Sequence, residues 1–330
     1  MFKKLLIIPL LLSLTVCLAV RSNVAYAQSF QDFVKDIKQQ AIKKGFSEKV
    51  VNKAFRDVKQ LEFVTHHYHH QFQKEHTFKT YRKALVSAYR IKTGKEKLKQ
   101  HAQLLDAISK KYQVPKEVII SLWGLESSFG AITGDTSEFT ALTTLAYTSQ
   151  RKRLFIAEIF AALTMVQDRK VPLEHMKGSW AGAMGQCQFM PASYLRYAES
   201  YKHDGPPNIW TNLPDVFASI ANFLRGEGFN AQYPILFNVK LTRKISPKSI
   251  GLQFKQSITH WLNEGIKSAD SKKLFKQKGL YSLILPDGEK GSAYLVNWQN
   301  FHAIMRWNSA TYYAISVALL ANELSTAAAD

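Results

Sequence analysis

Cysteine is nearly absent. Cys17 and Cys187 are the only two in 330 residues, too few for a disulfide-stapled framework. Acidic residues are also scarce, 25 Asp+Glu against 44 Lys+Arg, which leaves a net charge of +19 at pH 7. Such an imbalance speaks about partners and solubility and says nothing about fold. There is no compositional excess of glycine or proline (16 and 10), and 46% of the residues are hydrophobic. Collagen-like, low-complexity and wholly disordered chains are therefore excluded. No internal repeat is visible, which argues against a solenoid. Past the N-terminus no segment is long and apolar enough to span a bilayer. What remains is a globular chain able to bury a sizeable core, of a length that suggests about two domains.

The N-terminus reads as an export address. Met1 to Lys4 is short and basic, Leu5 to Val20 is an almost unbroken apolar run, and Ala25-Tyr26-Ala27 is an A-x-A cleavage site. These features predict a signal peptide over residues 1–27, cleaved after Ala27, and a periplasmic protein. A membrane anchor needs about 20 apolar residues, and this run is shorter. An outer-membrane lipoprotein anchored at Cys17 is the less favoured alternative. Val16 before it is not small, and the apolar run continues through Leu18-Ala19-Val20. Loss of Lys3, Lys4 and Arg21 with the signal lowers the +19 by three. Cys187 is then the only mature cysteine.

Residues 28 to about 112 carry helical spacing, for example Phe30, Phe33, Ile37 and Ala41, then Leu98, Ala102, Leu105, Ile108 and Tyr112. Val114-Pro115 opens another helix with the stripe Val118, Leu122, Leu125 and Phe129, and Gly130 is its natural stop. Helical patterns follow at about 151–168, 191–200, 214–226 and 309–323. Around Tyr233 the pattern changes. Ile235 to Leu241 has strand character, and Tyr281–Leu285 and Ala293–Val296 flank the turn Pro286-Asp287-Gly288. Residues 232–300 are thus expected to form a small β-containing insert with a helix near 251–265.

Two segments could carry chemistry. In Ser121-Leu-Trp-Gly-Leu-Glu126-Ser-Ser-Phe-Gly130, Glu126 shares a helical face with Ile119, Leu122 and Trp123 and lies in the last turn. Apolar neighbours and the negative end of the helix dipole both disfavour its carboxylate, so its pKa should rise. A carboxyl that is still protonated near neutral pH suits a general acid. From spacing alone a plainer reading has the better claim: a helix-end Glu salt-bridged to a nearby basic residue. The second segment, Gly178 to Tyr194, is dense in glycine, as a tight cleft wall would be. Its spacing is not that of a dinucleotide-binding loop. Cys187 with His175 or His203 suggests a thiol nucleophile only superficially, and a packed thiol is the better reading.

Gly124-Leu-Glu126-Ser-Ser-Phe-Gly130, Gly178-Ser-Trp-Ala-Gly-Ala-Met-Gly185 and Gln188-Phe-Met-Pro191, in that order, resemble the membrane-bound lytic murein transglycosylase B family. Further matches are Tyr81, Arg90-Ile-Lys-Thr-Gly94, Val114 to Ile119, Asn208-Ile-Trp210, Ala221-Asn222, Arg306-Trp-Asn308 and Tyr313-Ala314. The resemblance implies an α+β, mainly α fold. It has an N-terminal helical region (28–100), a lysozyme-like helical core (101–230 with 301–325) and a small β-containing domain (231–300). It also implies a peptidoglycan lytic transglycosylase that needs no cofactor and acts as a monomer on glycan strands. Glu126 would protonate the glycosidic oxygen and then deprotonate the sugar's own C6 hydroxyl, giving a 1,6-anhydro end without a second catalytic carboxylate. Tyr81, Arg151, Ser179, Gln188, Phe189, Met190, Phe223, Asn308 and Tyr313 would bind substrate, with Arg151 able to pair with a lactyl or peptide carboxylate. For Phe189, Met190 and Tyr313, taken singly, core packing has comparable weight. A hydrolytic muramidase and a non-catalytic wall-binding scaffold remain as alternatives.

Some positions depart from the family pattern. Phe223 and Trp307 stand where tyrosine is common, which keeps a ring but loses a hydroxyl. Some relatives have a calcium loop at 200–208; here Lys202 falls at a ligand position and Pro206-Pro207 stiffen the chain, so no metal is expected. His66-His67-Tyr68-His69-His70, with His76, lacks an acidic partner and reads as a solvated helix face. Asp135 and Glu138 read as solvated loop or cap residues. The basic residues are dispersed, and no nucleic-acid module is recognisable. The positive charge fits attraction to peptide-stem carboxylates or, peripherally, to an anionic membrane surface.

Overall fold

A computed structural model describes residues 28–69, 77–269 and 277–326. The expected signal segment with Cys17, together with His70 and His76, lies outside the described residues, as does the side chain of His69. The N-terminal region is helical: α1 (Phe30–Lys43), α2 (Glu48–Ala54), α3 (Glu62–His69), α4 (Phe78–Leu85), α5 (Ala88–Gln100) and α6 (Ala102–Tyr112). Ser29, Thr77 and Ser87 start α1, α4 and α5 by accepting a hydrogen bond from a backbone N–H three residues on.

The central element is α7 (Lys116–Ser127), entered through Pro115 at its N-cap. Ile119, Ile120 and Leu122 are fully buried and Trp123 nearly so, as expected of a helix that is apolar on every side. Helices α5, α11 (Leu213–Gly226) and α14 (Thr311–Ser325) pack around it. Between α7 and α11 lie α8 (Glu138–Thr148), α9 (Lys152–Gln167) and the short α10 (Pro191–Tyr197). The α8 helix has no counterpart in the sequence reading. Its threonines hide the pattern, yet Phe139, Leu142 and Leu145 are buried along it. Glu138, expected to be solvated, is fully buried in its first turn. The cause is tertiary: its backbone N–H bonds the Met176 carbonyl, and the glycine-rich segment folds over it. Asp135 is exposed as expected.

A two-stranded ribbon ties that segment to the start of α8, β1 (Thr136–Ser137) running antiparallel to β2 (Lys177–Gly178). The expected β insert is a five-stranded antiparallel sheet in the order β4-β6-β7-β3-β5. Its strands are β3 (Leu236–Leu241), β4 (Gln256–Ser257), β5 (Ile266–Ser268), β6 (Leu280–Ile284) and β7 (Ala293–Asn297). The pair β6–β7 flanks the foreseen turn, with Tyr281 opposite Asn297 and Leu283 opposite Leu295. The helix expected near 251–265 contracts to α12 (Ile258–Asn263), because Gln256-Ser257 are taken by strand pairing and Ser257 caps the helix. The insert has its own apolar cluster around Trp261, Tyr281, Leu283 and Leu295, separate from the main core. Helix α13 (Trp298–Trp307) leads back to α14. Among the described residues no helix is long and apolar enough to cross a membrane.

Trp261 is fully buried, and its indole N–H donates to the Tyr281 carbonyl at 2.8 Å. Trp261→Ala should lower stability by about 3–5 kcal/mol, the cost of a large cavity. The loss would be read from the urea midpoint at constant m-value.

Candidate active site

The last turn of α7 explains its own sequence. The helix stops at Ser127, and Ser128, Phe129 and Gly130 follow with φ of 49°, 59° and 85°. Left-handed backbone costs a non-glycine residue roughly 1–2 kcal/mol, so other contacts must hold the turn. The Phe129 ring folds back onto α7, where a Cβ on Gly124 would stand 2.6 Å from it. Gly130 passes so close to Gln186 that a Cβ there would lie 2.3 Å from its side-chain oxygen. The Ser127 hydroxyl accepts from the Gly130 N–H at 3.0 Å. Gln186 fastens the whole arrangement. It accepts from the Trp123 indole and donates to the Trp210 carbonyl, each at 2.8 Å.

This turn sets Glu126 at the rim of the core, partly exposed along a strip between α7, α13 and α14. No cation pairs with it among the described residues, which removes the salt-bridge reading. Two neutral donors meet the same oxygen instead. The Trp307 indole N–H donates to Oε1 at 2.9 Å, and the Tyr313 hydroxyl donates to Oε1 as well. Burial pushes the carboxyl up to about 7, opposed by these two hydrogen bonds, which favour the anion. Because Oε1 already receives two donors, the acid proton belongs on Oε2. The result is a carboxyl whose protonated and ionised forms are both accessible near neutrality.

Tyrosines close the site behind the carboxyl. Burial, and next the charge of Glu126, push Tyr81 up to about 12. Tyr313 is raised by the same two causes and also by its hydrogen bond to Glu126. Both therefore stay neutral donors through the physiological range. Trp307 is backed by a stack of rings: Phe223 at 4.7 Å, Phe189 at 5.0 Å, and Tyr197 packed behind Phe223 at 4.6 Å.

The structure thus joins Glu126 and Tyr313 directly, Phe189 and Phe223 through Trp307, and brings Tyr81 within the electrostatic influence of Glu126. Phe189 and Phe223 are almost wholly buried, so their rings support Trp307 more than they face a ligand. Met190 is half-buried at the N-cap of α10. The Gln188 amide donates to the Thr133 and Gly185 carbonyls, and the Ser179 hydroxyl accepts from the Ala183 N–H in a tight turn. Asn308 caps α13 on the exposed surface and accepts from the Ala310 N–H. Arg151 is exposed at the start of α9, with no contact to the Glu126 cluster. Trp307 and Gln186 are the residues that sequence reasoning did not assign. Family resemblance marks Trp307 only as a lost hydroxyl, yet its N–H supplies a donor. Gln186 sits within the glycine-rich segment, and nothing in its spacing distinguishes it from Gln188. A surface depression of about 850 Å³ lies elsewhere, lined by α5, the start of α7 and Leu324 of α14; chemistry, not size, locates this site.

Other candidates resolve into packing. Cys187 is buried with its thiol against the Val216 carbonyl, and burial raises its pKa, so it is no nucleophile. In the loop at 200–208, both oxygens of buried Asp215 are taken by His203 at 2.9 and 2.8 Å and by the Tyr201 and Asn208 N–H groups. These contacts spend the side-chain oxygens of Asp215 on protein donors. His66 and His67 are exposed on α3, and no three His, Cys, Asp or Glu side chains converge among the described residues.

Two outcomes follow from this geometry. Because the Trp307 N–H stabilises the anion, Trp307→Phe should raise the Glu126 titration by about one to two pH units, given ~1.5–3 kcal/mol for a hydrogen bond to a charged group. Carbon-13 NMR of labelled glutamate, with Glu126→Gln to assign the signal, measures it. Adding calcium, or removing it with a chelator, should leave the thermal midpoint where it was.

The sequence matches the family described as Transglycosylase SLT domain over residues 29–322. It is 31% identical over 248 residues to the membrane-bound lytic murein transglycosylase B of Escherichia coli, over 72% of this chain and 64% of that protein. The alignment therefore spans less than two thirds of that relative's length. The fold is similar to that of SltB3 from Pseudomonas aeruginosa in complex with NAG-NAM-pentapeptide. The TM-score is 0.84 at 32% identity, over 90% of this chain and 80% of that one. It is also similar to the Escherichia coli lytic transglycosylase Slt35 in complex with calcium, with a TM-score of 0.77 at 27% identity over 90% and 94%. These neighbours fit the mainly α, α+β architecture with its lysozyme-like core.

Proposed function

For a chain that belongs to the transglycosylase SLT domain family, we propose the activity of a peptidoglycan lytic transglycosylase with Glu126 as its single acid and base. The observation that carries this is one carboxyl, held near pH 7 by burial, with two donors fixed on Oε1. Oε2 gives its proton to the glycosidic oxygen as the C1–O bond breaks. The C6 hydroxyl of the same sugar then forms the new bond to C1, and its proton returns to Oε2. No water is consumed, and the 1,6-anhydro product follows. The Tyr313 and Trp307 donors stabilise the carboxylate between the two transfers. No second carboxylate contacts Glu126 among the described residues, which suits an internal nucleophile better than a two-carboxylate hydrolysis.

The glycan contacts assigned by resemblance belong to the same proposal. Tyr81, Ser179, Gln188, Met190 and Asn308 would bind sugar, with Arg151 at a more distant, exposed position. The catalytic core would comprise 101–230 with 301–325, and 231–300 would form the small β domain. Export to the periplasm by cleavage after Ala27, and action as a monomer, complete the reading.

Digestion of purified sacculi, with the products weighed, tests it. Anhydro ends, lighter by one water than reducing ends, are expected. Reducing ends would mean a muramidase, and no soluble product would mean a wall-binding scaffold. Glu126→Gln should lower the rate by roughly 10³-fold or more, the scale of general acid–base catalysis, while still binding glycan. Near-normal activity in that variant would refute the assignment.

A further inference from the structure

On the far side of the rings that back Trp307 lies a depression of about 460 Å³, lined by Ser193, Arg196, Tyr197, Phe223, Glu227 and Arg306 among others. Phe223 forms both its floor and the support of Trp307, and Arg306 immediately precedes Trp307 on α13. The depression is therefore one side chain away from the group that donates to Glu126.

Its charges are prearranged but not satisfied. Glu227 is held by the Tyr197 hydroxyl, which donates to Oε1. Arg196 stands 3.8 Å from Oε1 and Arg306 3.9 Å from Oε2, both beyond hydrogen-bond distance. The two guanidiniums are mostly exposed, at 69% and 74%, while Glu227 is 17% exposed. Arg196 also lies over the Tyr197 ring at 4.9 Å, which orients its plane. Two forks thus face one carboxylate that neither grips, leaving one positive charge in excess. Each fork keeps its N–H donors for another acceptor, and a planar carboxylate fits them in bidentate fashion.

We propose that this depression is a subsite for the carboxylates of the peptide carried on the glycan strand, bound by Arg196 and Arg306, with Glu227 as the anchor that keeps the two guanidiniums in place. The choice of ligand rests on the glycan-cleaving reading given above. Peptide carried on the sugar at Glu126 would have to extend past Trp307 to reach the two arginines. The subsite would then favour strands that carry peptide over bare ones.

The test measures binding, so it does not depend on cleavage. In the full chain as the cell exports it, carrying Glu126→Gln, affinity is measured for soluble strands with stem peptides intact and for strands stripped by an amidase. Stripping also frees the lactyl carboxylate on the sugar, which separates the two carboxylate sources. Adding Arg196→Gln and Arg306→Gln should weaken binding of peptide-bearing strands about tenfold, the scale of a lost charged hydrogen bond. Binding of stripped strands should change less than twofold. Equal losses on both would assign the arginines to the sugar or to general charge attraction and overturn the proposal. No loss on either, or no binding of peptide-bearing strands at all, would overturn it too. Selective binding alongside a wild-type chain that releases nothing from sacculi would sink the catalytic reading alone.

Discussion

Everything at the site depends on where one carboxyl sits relative to solvent and to two donors. Burial alone would drive Glu126 far upward and make it a poor base, whereas donors alone would pull it down and make it a poor acid. The structure applies both, and the balance falls near 7. Because the Trp307 and Tyr313 donors meet on one oxygen, the other oxygen is left to carry the proton. Such a group is what the proposed reaction, with its nucleophile supplied by the substrate, requires in both of its halves.

That balance is maintained by distant parts of the fold. Trp307 and Tyr313 come from α13 and α14, roughly 180 residues after Glu126 in sequence. Along the chain the five-stranded insert comes between α11 and α13, and β7 runs directly into α13, so the sheet sets where Trp307 begins its approach. On the other side, the strained turn after Ser127 is held by Phe129 in the notch at Gly124 and by the Gln186 bridge. The glycine-rich segment therefore contributes mainly by close packing, with its amides spent on backbone carbonyls and on Trp123.

The charge of the chain has a similar division. Most of the excess is dispersed over the surface and acts, at most, as a screened long-range attraction. Arg196 and Arg306 differ because both face one shared carboxylate, Glu227, and Arg196 also lies over the Tyr197 ring. Orientation turns general attraction into selection of one ligand geometry over another.

The sequence alone determined the helices with clear spacing and the turn between β6 and β7, where the signal is local: a stripe of apolar residues, a Pro-Asp-Gly turn. Glu126 is singled out by family resemblance, because its local pattern taken alone favours a salt-bridged helix end. The sequence could not show α8, whose threonines carry no hydrophobic period, and it left Glu138 in solvent because the segment that buries it arrives about forty residues later. Family resemblance brought Tyr313 forward, but read Trp307 as a loss. Only the tertiary structure turned its indole N–H toward Oε1 and placed Gln186 between Trp123 and Trp210. A hydrogen bond depends on the direction of a donor in space, and composition and spacing along one chain do not encode the direction from which a residue 181 positions away will come.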